Sequence, residues 1–230
     1  MNENAIIRRR HLPHIDVEGH PFFVTACLDG SISSAGLKEV RTYREQLENR
    51  NTPEGMSLAD WKMKKHKLVF KRIDELLDGQ CPVTHLSDDR LAKIVQDAFL
   101  HFAGERYTLL AFVVMPSHHH WIFLPDPTWA LTLLEQPEPR RTPREAISHS
   151  IQSYTATMCN RVLGRSGTFW QNETFDHFAR DEAELIRIIQ YIENNPVKAG
   201  MVTEPHLYPW SSANLRLRLG IAPGVPLTVG

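Results

Sequence analysis

The chain has 230 residues, 42% of them hydrophobic and 23% charged, with a formal net charge of −1. This composition excludes a disordered or fibrous chain, and the near-neutral balance excludes a global pull toward nucleic acid, so any such binding rests on local basic clusters. Cys27, Cys81 and Cys159 lie far apart without CxxC spacing, the N-terminus has no signal-peptide core, and no uncharged run reaches the length of a membrane span; a reduced, cytoplasmic protein is expected.

"HPFFVTACL", 20 to 28, closed by Asp29-Gly30, predicts a strand and turn. The stretch from about 31 to 82 holds two helix-like pieces, around Lys38 to Glu48 and from Leu58 to Leu77, and reads as an insertion beside the core. "SDDRLAKIVQDAFLHFAGE" spaces Leu91, Ile94, Val95, Ala98 and Phe102 as a helix that Gly104 stops. "YTLLAFVVM" is apolar enough for a strand covered on both faces, and Pro116-Ser117 turns it into an antiparallel partner, "HHHWIFLP".

After a polar connection over 125 to 143, Ile147, Ile151, Tyr154, Met158 and Val162 line one face of a helix that runs to Gly164. "FWQNETFDHF", 169 to 178, predicts a further strand. "DEAELIRIIQYIENNPVKAG" predicts a final helix with Asp181 and Glu184 at capping-box spacing and Leu185, Ile188, Ile189 and Ile192 in one stripe. Strand-helix-strand-strand-helix-strand is the order of an α+β, ferredoxin-like split βαβ sheet, here with an extra C-terminal helix. A single domain over 1–215, with the insertion at about 31–82, and a tail at 216–230 are expected.

In a strand side chains alternate, so His118 and His120 share one face and His119 and Trp121 the other. Two imidazoles on one face can chelate a divalent metal, although core or surface histidines are the more frequent outcome of such a pair. Tyr191 and Asn195, four residues apart, share a face beside the apolar stripe of the last helix. Asn195 precedes Pro196, where the helix is expected to kink or end. Taken alone, Tyr191 is a boundary residue and Asn195 a terminator.

"MPSHHH", "FWQNETFDH", "YIENNPVKAGMV" and "PWSSA" together resemble the REP-associated tyrosine transposases, of the HUH single-tyrosine (transposase IS200-like) group. The resemblance implies that His118 and His120 bind a metal, that Asn195 is the third protein ligand, and that Tyr191 is the nucleophile. It implies a metal-dependent endonuclease and strand transferase that uses Mg²⁺ or Mn²⁺ on single-stranded DNA carrying a hairpin (REP-like), with a 5′-phosphotyrosine intermediate, in a monomer or homodimer. Asp176 and His177 match a family Asp-His pair with no chemical step assigned. Ser117 and His119 depart from the family, which usually carries Asn and a hydrophobic residue there; for His119 a structural role is expected.

Arg140, Arg141 and Arg144 are candidates for a phosphate track, and Trp170 and Trp121 are weaker candidates for base stacking, with core packing the expected outcome for both tryptophans. A different class of function is a domesticated protein that binds hairpin DNA without cutting it. A zinc hydrolase is weaker still, since the chain lacks His-Glu-x-x-His.

Overall fold

The computed structural model describes the backbone of residues 6–9 and 13–16 and, in full, residues 19–79, 81–135, 141–171 and 174–227. An N-terminal hairpin, β1 (Ile6–Arg9) and β2 (Pro13–Asp16), precedes the main sheet. That sheet comprises β3 (Phe22–Cys27), β4 (Tyr107–Val114), β5 (His118–Pro125) and β6 (Phe175–Phe178), antiparallel throughout and ordered β4-β5-β3-β6. Numbered within the sheet this order is 2-3-1-4, the ferredoxin-like topology that the element order led us to expect.

All six residues of β3 are buried because both faces of the sheet are covered. On one face lie α3 (Asp89–His101), capped by the Asp88 side chain, and α5 (Pro143–Val162), which starts in a capping box of Thr142 and Glu145. They enclose Val24, Ala26, Phe112, Trp121 and Phe123 with Leu91, Val95, Phe99, Ile147 and Ile151. The other face carries α6 (Glu182–Lys198), whose Ile189 and Ile192 meet Phe23, Ala111, Val113, Ile122 and Phe175.

The stretch expected beside the core folds as α1 (Ser34–Glu48) and α2 (Leu58–Leu77), joined through Val40, Leu47 and Val69. Rather than standing aside, α2 lies over the α6 face and packs Phe70 against its apolar cluster. The polar connection contains α4 (Pro127–Leu134), capped by Asp126. Of the final strand motif, Phe175–Phe178 pair as β6 and Trp170 makes an isolated bridge with Leu28, while residues 172–173 lie outside the described residues.

On α5 the buried face runs through Arg144, Ile147, Ser148, Ile151, Thr155 and Cys159, leaving Tyr154 exposed. Helix α6 does not end at Asn195. The proline ring removes one amide, but Ala199 N still donates to the Asn195 carbonyl and Met201 N to that of Pro196, both at 2.9 Å, so the last turn closes. Two points beyond residue 215 are anchored among the described residues: α7 (Ser212–Leu219) buries Arg216 against Glu193 and the Leu110 carbonyl, and Leu227 bridges to Leu109 in the core. No described helix is long and apolar enough to cross a membrane.

Candidate active site

Strand register sets the site. Thr25 on β3 and Val113 on β4 lie opposite His120, and Cys27 lies opposite His118, so both imidazoles project from the centre of the sheet toward α6 and α2. Their Nε2 atoms approach to 3.1 Å. Metal–imidazole bonds of ~2.0–2.1 Å meeting at right or tetrahedral angles put two ring nitrogens about 2.8–3.4 Å apart, so the spacing suits one shared ion.

The opposite ring nitrogens are held. His118 Nδ1 lies 3.0 Å from Ser117 Oγ and His120 Nδ1 lies 2.7 Å from Thr25 Oγ1. A hydroxyl both donates and accepts, so it can fix the tautomer that leaves Nε2 a lone pair for a metal. Ser117, which departs from the family pattern, is the partner of His118 here.

Sequence reasoning missed the third member of the cluster. Asp74 of α2 projects into the same space, and among the described residues Asp74, His118 and His120 offer ligand atoms that all lie within 4.8 Å of one another. Asp74 Oδ1 is 3.5 Å from His120 Nε2 and accepts a short hydrogen bond from the Tyr191 hydroxyl. Lys198 Nζ donates to Asp74 Oδ2 at 2.8 Å and pairs with Asp78 at 2.7 Å. The available signal was a carboxylate on an apolar helix face, one turn after Phe70 and between Ile73 and Leu77.

Tyr191 reaches the cluster from α6, its hydroxyl 3.5 Å from His120 Nε2. Asn195, one turn further along, is fully buried. Its amide is near enough to the phenol to favour ionisation weakly, yet neither amide atom makes a hydrogen bond of ordinary geometry among the described residues. A buried amide without a partner is costly unless something coordinates it. Two converging imidazoles, a carboxylate and an unpaired amide form a nitrogen and oxygen set without thiolate, which suits a hard or borderline divalent ion.

The electrostatics describe a closed state. Burial raises the Tyr191 pKa well above its ordinary value, and Asp74 raises it further. Burial alone would raise Asp74 too, but His120, Lys198 and Tyr191 outweigh it and hold the carboxyl below the usual range. His118 is pushed down by burial and then by His120, so it is neutral and able to ligate.

His119 answers to a different surrounding. It projects to the opposite face, edge-on to Phe99 at 5.1 Å and Trp170 at 4.9 Å between ring centroids, and neither nitrogen has a partner among the described residues. Burial, then His120, lowers its pKa to about 3. It is a neutral packing ring, as expected of a structural residue, without the carbonyl bond that would have satisfied it.

The DNA-contact candidates fare differently. Trp170 is buried on the α5 side and donates Nε1–H to Thr155 Oγ1 at 2.9 Å, and Trp121 lies in the same core; both are packing residues with no face open to a base. Arg144 is 3% exposed and pairs with Asp176 at 3.2 Å, which also gives the Asp176 of the Asp-His motif a structural partner. Arg141 is exposed, and Arg140 lies outside the described residues. His177 faces Glu184 at 3.1 Å.

A ferredoxin-like sheet with paired strand histidines met by a helix tyrosine is the arrangement that the sequence motifs implied. No protein-family model matches the chain. A Haemophilus influenzae protein named "Putative REP-associated tyrosine transposase" is 28% identical over 122 residues, spanning 51% of this chain and 65% of that protein. A second, uncharacterized Haemophilus influenzae protein is 28% identical over 99 residues, 37% of this chain and 52% of the other. The matches thus cover just under two thirds and about half of the relatives' own lengths. A solved structure of a REP-associated tyrosine transposase bound to a REP hairpin aligns with 90% of this chain and 84% of its own, at 17% identity and a TM-score of 0.49. The chain is similar to the REP-associated tyrosine transposases, as its motifs led us to expect.

Proposed function

We propose that this protein is a divalent-metal-dependent, single-tyrosine endonuclease and strand transferase acting on single-stranded DNA that carries a hairpin. The observation that carries this reading is the convergence of the Tyr191 hydroxyl, the two histidine Nε2 atoms and the Asp74 carboxylate at one buried point.

Tyr191 Oη attacks the phosphorus of a phosphodiester and forms the tyrosine–phosphate bond; the bond from phosphorus to the 3′ oxygen breaks, leaving a 5′-phosphotyrosine and, once protonated, a free 3′-hydroxyl. Asp74, already accepting the phenolic hydrogen bond, is the nearest acceptor for the proton. A 3′-hydroxyl that loses its proton and attacks the phosphotyrosine forms a new bond from phosphorus to the 3′ oxygen and expels the Tyr191 oxygen, which regains a proton; strands join without ATP because one phosphodiester linkage is exchanged for another. Mg²⁺ or Mn²⁺, held by His118, His120, Asn195 and Asp74, would polarise a phosphate oxygen and offset developing charge.

His118, His120 and Asp74 are 1%, 0% and 3% exposed. A phosphodiester therefore reaches the histidines and Asp74 only after α2 has shifted, and the closed arrangement with its neutral phenol is a resting form. Single-domain organisation over 1–215 with α1–α2 as an insertion, and action as a monomer or homodimer, belong to the same proposal.

The test is incubation with labelled single-stranded hairpin DNA and Mg²⁺ or Mn²⁺, followed by denaturing electrophoresis. A shifted protein–DNA adduct is expected from the native protein and none from Tyr191→Phe. An equal adduct from Tyr191→Phe removes the nucleophile; DNA binding without any adduct favours the non-cleaving hairpin binder.

A further inference from the structure

Tyr191 and Lys198 stand on one face of α6, about two helical turns apart. They do so because the helix runs through Pro196: the bonds from Ala199 N to the Asn195 carbonyl and from Met201 N to the Pro196 carbonyl carry the last turn past the proline. Had the helix ended at Asn195, no periodicity would tie the lysine to the tyrosine.

In the closed form the two side chains meet the same small anion. Asp74 accepts from the Tyr191 hydroxyl through Oδ1 and from Lys198 Nζ through Oδ2, the latter at 2.8 Å. Lys198 Nζ lies 5.9 Å from the centre of the Tyr191 ring, and Asp74 Oδ1 lies 3.5 Å from His120 Nε2. A phenol, an ammonium and an imidazole thus converge on one oxyanion group. The carboxylate is buried whereas the Lys198 side chain is half exposed, so the ammonium enters the cluster from its open side.

Both carboxylates that hold Lys198 belong to the other helix: Asp74 lies within α2 and Asp78 caps its end. The shift of α2 that admits DNA therefore loosens the partners of Lys198, and it leaves the lysine beside Tyr191 because those two share α6.

We propose that Lys198 is a catalytic residue of the cleavage step: once α2 has shifted, its ammonium donates a hydrogen bond to a non-bridging oxygen of the scissile phosphate. Attack by Tyr191 Oη builds negative charge on the non-bridging oxygens, and Lys198 offsets part of it on one of them. The lysine transfers no proton, and the bonds made and broken are those of the tyrosine exchange alone. The same side chain is a clasp on α2 in the resting form and a phosphate donor in the working one. This inference rests on the tyrosine-cleavage function proposed above.

The two roles predict opposite signs. Breaking a clasp speeds adduct formation, whereas losing a catalytic cation slows it, so Lys198→Met and Asp78→Ala, which break one ion pair from its two ends, are compared on labelled single-stranded hairpin DNA. At saturating DNA, Lys198→Met is expected to slow adduct formation about a hundredfold, as for removal of one donor to a developing oxyanion. Hairpin affinity, read by fluorescence anisotropy, should fall far less, and the melting temperature should hold. Lys198→Arg, which keeps a cationic donor, is expected to restore most of the rate, and Asp78→Ala to be no slower than the native protein. Contact with the phosphate itself is read with the two methylphosphonate diastereomers at the scissile position. On the one whose methyl replaces the oxygen that meets Lys198, native and Lys198→Met proteins are expected to react at similar rates. A Lys198→Met protein as fast as the native one or faster, equal slowing by Asp78→Ala, or the same rate gap on both diastereomers overturns the catalytic contact and leaves the function standing. No adduct from the native protein, or an adduct kept by Tyr191→Phe, overturns the function and this inference with it.

Discussion

The histidines and the aspartate of the site are held by different means. His118 and His120 stand on β5, a strand hydrogen-bonded on both sides, to β3 and to β4, and each ring is further fixed by a hydroxyl. Asp74 stands on α2, which no backbone ladder ties to the sheet. It is kept down by Phe70, stacked on Phe175 at 4.0 Å, by Lys198 bridging Asp74 and Asp78, and by Lys67 pairing with Glu184. Ladder bonds break only with the fold, whereas partly exposed ion pairs contribute roughly 0–1 kcal/mol each. The histidine half is fixed by the sheet; the aspartate half is held by side-chain contacts alone.

The largest effect expected from breaking that division is on the histidine side. His118→Ala or His120→Ala should lower the rate of adduct formation about a thousandfold or more, since losing the ion costs several kcal/mol of charge stabilisation and each ~1.4 kcal/mol is tenfold. Melting temperature, measured alongside, should change little if the rings serve a metal rather than the core; a variant that unfolds instead would count against the assignment.

Asp74→Asn should fall between. The amide keeps the shape and can still accept from Tyr191, but it removes the charge from the cluster and the partner of Lys198. Divalent-ion affinity, followed by calorimetry, should weaken by about 10- to 100-fold. An unchanged affinity would make Asp74 a latch for Tyr191 and no ligand.

Loosening α2 without touching the site should act in the opposite direction. Lys67→Ala with Asp78→Ala removes one partner from each clasp, and if DNA entry needs α2 to move, adduct formation should rise by about two- to fivefold, the ratio that about 0.5–1 kcal/mol allows. Amide exchange in α2 should quicken to match, and exchange in β5 should not. Slower adduct formation would show that α2 must stay docked during cleavage.

What was legible follows the same division. The sheet order, the alternation that separates His119 from its neighbours, and the spacing of Tyr191 and Asn195 are local patterns with fixed periods, and the structure keeps all of them. Asp74 meets His120 across 46 positions and Tyr191 across 117, and no periodic signal encodes which partner a helix carboxylate meets across the fold. Arg144 misled because a basic letter does not say which helix face it takes: it falls on the covered side of α5, beside Asp176, while Trp170 packs in the core beside Thr155 as the favoured reading had it. Pro196 misled because a proline in the last turn costs one hydrogen bond, and the packing of α6 absorbs it.

The smallest expected effect is the acid response of the Lys67 clasp. Burial would raise the Glu184 pKa, but Arg180, Lys67 and His177 together outweigh burial and lower it below the usual carboxylate range. A depressed folded-state pKa contributes stability that is fully present above the unfolded value, near ~4.3, and is lost as pH falls through the folded one. Near-neutral conditions therefore favour a docked α2, and exchange in that helix should begin to quicken only below about pH 4, ahead of β5. Glu184→Gln should make α2 exchange faster at neutral pH and flatten its acid dependence. If both proteins loosen α2 over the same pH range, Glu184 is not the clasp, and the hold of α2 on the site falls to Phe70 and Lys198 alone.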